Sequence, residues 1–449
     1  MDTLISIIVN IWHAFVLLVE GSGGEGSWSF IYRVFPVVVF FELPIYLLIW
    51  IGIVLYHLKR RNGHRNVSTP FSPTVSCIVS CYSEGEDVQK AIISLTEQIY
   101  PGSIEILAVI DGAYRNRETY DAAMSLRVKV EKRPNRMLRV IPKWQRGGRV
   151  SSLNAALTLA TGSIVMALDG DTSFDNTMVR NAVSHFADPH VMAVAGNLRV
   201  RNFHKSLVTR LQAVEYMLSI HAAKIGLSEF NVVNNISGAF GVFRKSILHK
   251  IGGWDSGTAE DLDITMKIKS YFGMHPELKI VFEPYAMGHT DAPETLAGLL
   301  GQRLRWDGDL FYLYIRKRRL NFNRKVIGIR NLIISLWTGV FFQLVMPMVI
   351  IFSTIVMLVI YPFYLFLTIW LLVYLVYFSI TAILFLTYLL LVSERKKQDI
   401  KLGIYLPLFP GFMFILRVWN GLAVLKEILF KSHLDSSMAP WWVLKRTKF

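Results

Sequence analysis

Only two cysteines occur in 449 residues, Cys77 and Cys81. Both lie in one short β-branched run, at a spacing that suits neither a zinc site nor a disulfide framework, so they read as buried strand thiols. Charge is missing altogether from Leu332 to Val392. At about 20 residues per crossing, that stretch holds two membrane helices divided at Tyr361-Pro362. It therefore lacks the charged residues that a channel or transporter would need inside its spans. Lysine and arginine are absent ahead of the apolar stretch Leu4 to Val19, which excludes the charged start of a cleaved signal and favours a retained span. Metal-ligand spacing is lacking around His204 and His289, which read as ordinary polar positions, although Gly288-His289-Thr290-Asp291 stands just ahead of an amphipathic helix. Acidic residues are outnumbered, 33 against 48 Lys and Arg, for a net charge of +15. The excess is spread over the loops flanking apolar stretches and over the central segment. Membrane topology and anionic lipid therefore account for it, and nucleic acid is not an expected partner.

What is present is apolar: 53% of residues are hydrophobic and 13% aromatic, with a mean hydropathy of +0.39. A multispan membrane protein is the default. Beside Leu4 to Val19 stands a second stretch, Val34 to Leu58, and Gly21-Ser22-Gly23-Gly24 between them reads as a turn. Lys59-Arg60-Arg61 with Arg65 follows the second stretch, and Arg395-Lys396-Lys397 with Lys401 follows the fourth. Short basic loops stay in the cytosol, so the turn around Gly21 to Ser27 lies outside and everything from Lys59 to about Lys325 inside. A last apolar stretch, Leu402 to Leu425, is interrupted by Pro407, Pro410 and Arg417. A full crossing would put the basic tail Lys445-Arg446-Thr447-Lys448 outside, against the charge rule; a re-entrant hairpin is the competing reading.

Between the membrane blocks, strand-like and helix-like runs alternate. Thr74 to Cys81, Ile104 to Ile110, Leu138 to Ile141 and Ile164 to Leu168 read as strands, and Val88 to Gln98 and Val150 to Ala160 as helices, giving an open, mostly parallel α/β sheet. Ligands of such sheets bind beyond the carboxyl ends of the strands. Three polar sites fall there: Tyr82 to Glu84, Asp111, and Asp169-Gly170-Asp171. The last places two carboxylates at the lip of the sheet, a donor set for Mg²⁺ or Mn²⁺ held against a diphosphate. Glu260-Asp261 opens the helix Leu262 to Ser270 after the loop Gly252-Gly253-Trp254-Asp255. Acids there either complement the helix dipole or supply a general base, and either of the two qualifies. Finally, Gln302-Arg303-Leu304-Arg305-Trp306 lies in an amphipathic helix, Glu294 to Ile315, that ends in Arg316-Lys317-Arg318-Arg319. Such a stretch anchors a helix at a membrane interface, or serves chemistry there, or both. Trp337, Phe341 and Phe342 are packing residues or channel lining.

In this order the elements resemble the membrane-integrated glycosyltransferases of family 2, the processive synthases of cellulose, chitin, hyaluronan and poly-N-acetylglucosamine. The likeness covers about Thr74 to Trp306 and runs into the flanking helices. It implies a cytosolic GT-A-like domain inserted between N-terminal and C-terminal transmembrane helices: spans in 1–58, the sugar-transfer domain in 59–293, interfacial helices in 294–331, further spans in 332–425 and a basic tail in 426–449. It assigns Tyr82, Glu84 and Asp111 to the nucleotide, Gly147-Gly148-Arg149 with Ser152-Leu153-Asn154 to the diphosphate, and Asp169 with Asp171 to the metal. Ala259-Glu260-Asp261 resembles a Thr-Glu-Asp motif with alanine for threonine, which makes Asp261 the base with Glu260 beside it. Arg149 stands where lysine is more usual, keeping the charge but changing its geometry. Asn235 to Arg244, with Gly238 and Phe240, resembles the segment lining the acceptor site. Gln302, Arg303, Arg305 and Trp306 fit the Gln-x-x-Arg-Trp motif completely, the first three toward the donor and Trp306 toward the acceptor.

The expected activity is inverting, processive transfer from a UDP-sugar to a growing polysaccharide at the plasma membrane, in a multi-pass protein in contact with membrane lipids. The alternative is single transfer to a lipid acceptor. No C-terminal regulatory domain like that of many bacterial cellulose synthases is visible, which points to UDP-N-acetylglucosamine first and UDP-glucose second.

Overall fold

The computed structural model describes residues 38–61, 71–255 and 259–431, together with Val9. Apart from Val9, the expected span Leu4 to Val19 lies outside the described residues, as do the turn after it, Arg65 and the tail from 432 to 449. The chain enters its described part through helix Phe40–Arg61 (α1), long and apolar enough to cross a membrane.

Strands buried on both faces read as continuous apolar, β-branched runs. Val75–Cys81 (β1) and Ile104–Asp111 (β2) are buried at every position, whereas Arg136–Lys143 (β3), at the sheet's edge, is mostly half-exposed. Ile164–Asp169 (β4), Ser173–Phe174 (β5), Val191–Val200 (β6), Phe240–Arg244 (β7) and Lys279–Thr290 (β8) complete one sheet in the order β3-β2-β1-β4-β7-β6-β8-β5. The first four run parallel. β7 is antiparallel to both its neighbours, β6 and β8 pair in parallel, and β5 returns antiparallel to β8. The sheet is thus mixed, though mostly parallel as expected. β6, β7 and β8 go beyond the expected strands. Gly196-Asn197 and Pro284 break their alternation, and the β6–β8 register slips at Gly196 and Asn197.

Helices cover the sheet: Val88–Thr96 (α2), Gly148–Leu159 (α3), Leu207–Glu215 (α4), Ala223–Glu229 (α5) and Glu260–Lys269 (α6). The amphipathic helix runs as an α-helix over Leu296–Phe311 (α7) and continues as a wider, π-helical stretch at Tyr312–Lys317. Then come three more helices long and apolar enough to cross a membrane: Ile329–Ile360 (α8), Phe363–Leu391 (α9) and Lys396–Phe430 (α10). The break between α8 and α9 falls at Tyr361-Pro362, as the proline dictates. Pro407 and Pro410 do not fold α10 into a hairpin. Pro407 sits in a tight helical turn, Ile400–Leu408, and Pro410 in the first turn of the following segment, where a missing N–H costs nothing. Arg417 turns inward and donates to the Phe342 carbonyl at 2.8 Å.

The sheet domain meets the basic ends of these helices. Lys59 pairs with Glu229 at 2.6 Å, Arg60 lies 4.1 Å over the Tyr285 ring, and Arg395 reaches Asp175 at 3.2 Å. Arg199 of β6 grips Asp399 of α10 through two hydrogen bonds, 2.8 and 3.1 Å. Trp419 of α10 donates to the Leu300 carbonyl of α7 at 2.8 Å.

Candidate active site

Strand register brings the polar sites together. Ser80 of β1 is opposite Val109 of β2 on one side and Asp169 of β4 on the other, so the ends of three parallel strands stand side by side. β2 and β4 leave β1 on opposite sides, which opens the crevice where such sheets bind ligands. The turn after β1 is held in an unusual shape, with Ser83 at φ 70°, a left-handed conformation that a serine keeps only under constraint. Gly170 lets the acidic turn lie against it: a Cβ there would stand 3.0 Å from Cys81 Sγ and 3.2 Å from Glu84 Cδ.

Glu84, Asp169 and Asp171 therefore crowd one corner. Burial pushes Glu84 up to about 7, with Asp171 and Asp169 adding to the rise against two backbone hydrogen bonds. Burial and the neighbouring Asp169 likewise raise Asp171. Glu84 Oε2 is buried with no hydrogen-bond partner among the described residues. Crowded, poorly solvated carboxylate oxygens are what a hard divalent cation relieves, and the donor set fits Mg²⁺ or Mn²⁺. Among the described residues no three His, Cys, Asp or Glu side chains are arranged to hold an ion unaided.

Asp111, at the end of β2, spends both oxygens on the loop ahead of α3. Oδ1 accepts from Lys143 Nζ at 2.7 Å and Gly147 N at 2.8 Å, and Oδ2 from Gly148 N at 2.8 Å. Tyr82 is exposed, with the Arg146 guanidinium 4.1 Å over its ring.

Arg149, in the first turn of α3, joins the two halves of the site. Its Nη1 donates to Ser80 Oγ at 2.7 Å and pairs with Asp169, its Nη2 donates to the Gly238 carbonyl at 2.6 Å, and its Nε lies 2.7 Å from Glu260 Oε1. Burial works against the charge, but Asp169, Glu260 and Asp261 together outweigh it and hold the guanidinium above its ordinary range. Glu260 rises to about 7, chiefly by burial, with Arg149 opposing and Asp261 assisting. Asp261 is also raised by burial, against the Leu262 N–H, Lys224, the Gly238 N–H and Arg149. Its Oδ2 accepts from Asn235 Nδ2 at 3.1 Å and Gly238 N at 3.3 Å, and its Oδ1 from Leu262 N at 2.7 Å. Glu260 is thus tied to an arginine, whereas Asp261 faces the loop from Asn235 to Gly238.

One expectation needs correction. Phe240 is fully buried at the start of β7, against Gly196 and edge-on to Phe174 at 5.4 Å, so it supports the loop from beneath and does not line it. Part of the run Arg316 to Arg319 is also paired within the protein. Lys317 and Arg318 turn inward: Arg318 holds the buried Asp263 of α6 through two hydrogen bonds, 2.7 and 3.1 Å, and Lys317 reaches Asp255 at 2.8 Å. Basic residues in sequence gave no sign of this, because the acids they meet lie more than one element away. Lys317, 3.3 Å from the same carboxylate, keeps part of the Asp263 charge paired when Arg318 is lost. Arg318→Met should cost about 1–3 kcal/mol of stability, read as a lower Tm in detergent, and adding Asp263→Asn should recover part of it.

In the Gln-x-x-Arg-Trp segment, Arg303 pairs with Glu215 of α4 at 2.7 Å and lies 4.9 Å over the Trp306 ring. Gln302 Oε1 is buried without a partner among the described residues, and Trp306 is exposed. The side chain of Arg305 lies outside the described residues. His289 Nε2 lies 2.9 Å from Asp175 Oδ1. Glu215 and Lys224 escaped the motif-based assignment because their spacing carries no signal, and Asn235 entered it only as the start of the segment assigned to the acceptor.

Comparisons with known proteins agree with this geometry. Glycosyl transferase family group 2 matches residues 164–388, half of the chain. Poly-beta-1,6-N-acetyl-D-glucosamine synthase of Staphylococcus epidermidis is 31% identical over 234 residues, 52% of this chain and 53% of that protein. The synthase of the same name from Staphylococcus aureus (strain COL) is 28% identical over 274 residues, 59% of this chain and 62% of that one. The chain spans about half the length of the first curated relatives it matches. Among solved structures, a mannosyltransferase from Pyrobaculum calidifontis in complex with GDP-Man and Mn²⁺ superposes with a TM-score of 0.53, covering 87% of this chain and 98% of that one. At 19% identity the likeness is one of fold, and the fold is the GT-A-like sheet expected. A sheet of this order, with its acids at the ends of β1, β2 and β4 and a matching sequence from β4 onward, places the chain in glycosyl transferase family group 2.

Proposed function

We propose that this protein is a processive, inverting glycosyltransferase that builds a β-linked polysaccharide from a UDP-sugar and passes it across the membrane. One observation carries the reading. Arg149 touches Asp169 and Glu260 at once, so the acidic turn suited to a diphosphate and the helix that carries Asp261 share one cleft. In that cleft Asp261 takes the proton from the acceptor hydroxyl as its oxygen bonds to the anomeric carbon. The bond from that carbon to the diphosphate breaks on the opposite face, so an α-linked donor gives a β-linked product. Asp169 and Asp171 would hold Mg²⁺ or Mn²⁺, which when bound compensates the charge of the diphosphate. Arg149 bears on the same phosphates, and Tyr82, Glu84 and Asp111 form the nucleotide end, with Asp111 acting by shaping the loop before α3.

Residues 59–293 then form the sugar-transfer domain, with Gln302 to Trp306 at the membrane interface. The basic ends of α1 and α9 contact the domain itself, which supports a cytosolic location by the charge rule. The names of the bacterial relatives support UDP-N-acetylglucosamine as donor and a β-1,6-linked polymer as product, with UDP-glucose as second choice. The test is to incubate purified protein with Mn²⁺ or Mg²⁺ and each UDP-sugar in turn, measuring UDP release and product length. Release with N-acetylglucosamine donor and long products is expected. Single-sugar products on lipid would replace the reading with lipid glycosylation, and equal release from every donor would sink the donor assignment.

Trp306, exposed and backed by Arg303, offers a stacking face for the acceptor sugar. Trp306→Ala should weaken the hold on the acceptor by about 1 kcal/mol, roughly fivefold. Shorter polymer with near-unchanged UDP affinity is the expected result on gel filtration and calorimetry.

A further inference from the structure

Lys224 is a lysine almost without solvent, 3% exposed, in the short helix α5. Its Nζ donates to Ser237 Oγ at 2.7 Å. Ser237 lies between Asn235 and Gly238, the two residues that donate to Asp261 Oδ2. From the other side Arg149 holds the same loop by the Gly238 carbonyl. A buried ammonium with so little compensation is costly, so its position calls for an account.

We infer that Lys224 is a positioning residue for Asp261: it fixes the Asn235 to Gly238 loop through Ser237 and supplies the positive charge that keeps the Asp261 carboxylate ionised. The inference rests on the reading of Asp261 as the base. The charged and titratable groups facing Asp261 are Lys224 from α5, Arg149 from α3, Glu260 beside it and the Tyr314 phenol from the stretch after α7. Arg149 divides its charge among Asp169, Glu260 and Asp261, and Glu260 and Tyr314 bring no positive charge. Lys224 is the second cation facing Asp261, and among the described residues no carboxylate is paired to it. Burial lowers Lys224 to about 8 and Asp261 opposes the fall, which is the reciprocal of the help that Lys224 gives Asp261.

The membrane helix sets where that charge stands. Two residues beyond Lys224, Gly226 is pressed against α1, where a Cβ would stand 2.5 Å from the Ile49 carbonyl oxygen, and Gly52 of α1 meets the backbone of Gly226 in return. At the far end of α5, Lys59 and Glu229 close the contact. The packing of α5 on α1 thus fixes the backbone from which Lys224 reaches Ser237.

The test compares Lys224→Met, Lys224→Arg and Ser237→Ala in the full-length protein in detergent, by UDP release from UDP-N-acetylglucosamine with Mn²⁺ over a pH series. Lys224→Met should lower kcat about 10- to 100-fold with donor KM changed less than about threefold, and should move the acid limb of the kcat profile upward by about one pH unit. Lys224→Arg should bring the limb back and recover part of the rate, and Ser237→Ala should lower kcat without moving it. An acid limb that stays in place in Lys224→Met overturns the inference, whatever happens to the rate. So does loss of UDP binding in both Lys224→Met and Lys224→Gln, which would make the lysine purely structural. Full turnover by Asp261→Asn would instead remove the base reading itself, so the two failures are distinguishable.

Discussion

Asp261→Asn should lower sugar transfer by about 10²- to 10⁴-fold while leaving UDP affinity nearly unchanged, the loss expected when a general base can no longer accept a proton. The substitution is close to isosteric. Its one amide oxygen can still accept from Asn235 or Gly238, so the loop should hold, but no atom is left to take the acceptor's proton. Glu260 is a poor substitute because its Oε1 is already committed to Arg149 Nε at 2.7 Å. Glu260→Gln should therefore act differently, by loosening Arg149 and raising donor KM along with any fall in kcat. Since burial holds Asp261 above the ordinary aspartate range, the protonated, inactive form persists to higher pH than usual, and the acid limb of the wild-type kcat profile should lie above that range. Single-turnover UDP release and calorimetric UDP binding separate these cases. Near-normal turnover in Asp261→Asn would remove Asp261 from the reaction.

Much of this site was legible in sequence because its first half is local. β1, β2 and β4 are buried on both faces, so they read as apolar runs, and each ends at the polar residues that parallel register then aligns. The pair Glu260-Asp261 was legible for a similar reason, at the start of a helix with acids in its first turn, while the choice of Asp261 between them came from the family resemblance. What stayed hidden is non-local. That Arg149 would reach Gly238 and Glu260, that Lys224 would reach Ser237, and that Arg318 would turn in to Asp263 depend on where β7 and α6 pack. β6 and β8 escaped because a register slip and a proline interrupt the period by which strands are read. Phe240 shows the converse error: a residue inside a recognisable motif was given a binding role when the start of β7 had already buried it.

Asp171→Ala should abolish the part of UDP affinity that depends on Mg²⁺ or Mn²⁺, a loss of about 100-fold or more, since changing residues that merely support a metal ligand already costs 10- to 100-fold. Asp169 is shared with Arg149, Glu84 and Asp171 both carry a raised affinity for protons, and Asp171 stands beside Asp169 on the same turn as the second carboxylate of the pair. Its own rise comes from burial and from Asp169, and a divalent cation is the charge that relieves both. UDP titrated calorimetrically into wild type with and without Mn²⁺ should give a tight and a weak binding curve. Asp171→Ala should give the weak curve under both conditions, and a chelator should convert the wild-type curve into that of the variant. Arg149→Met separates the two cations. It removes the guanidinium from Asp169 and so should leave the metal dependence in place while weakening UDP binding at every metal concentration. A variant lacking Asp171 that still bound UDP more tightly with Mn²⁺ would move the metal away from this pair of aspartates.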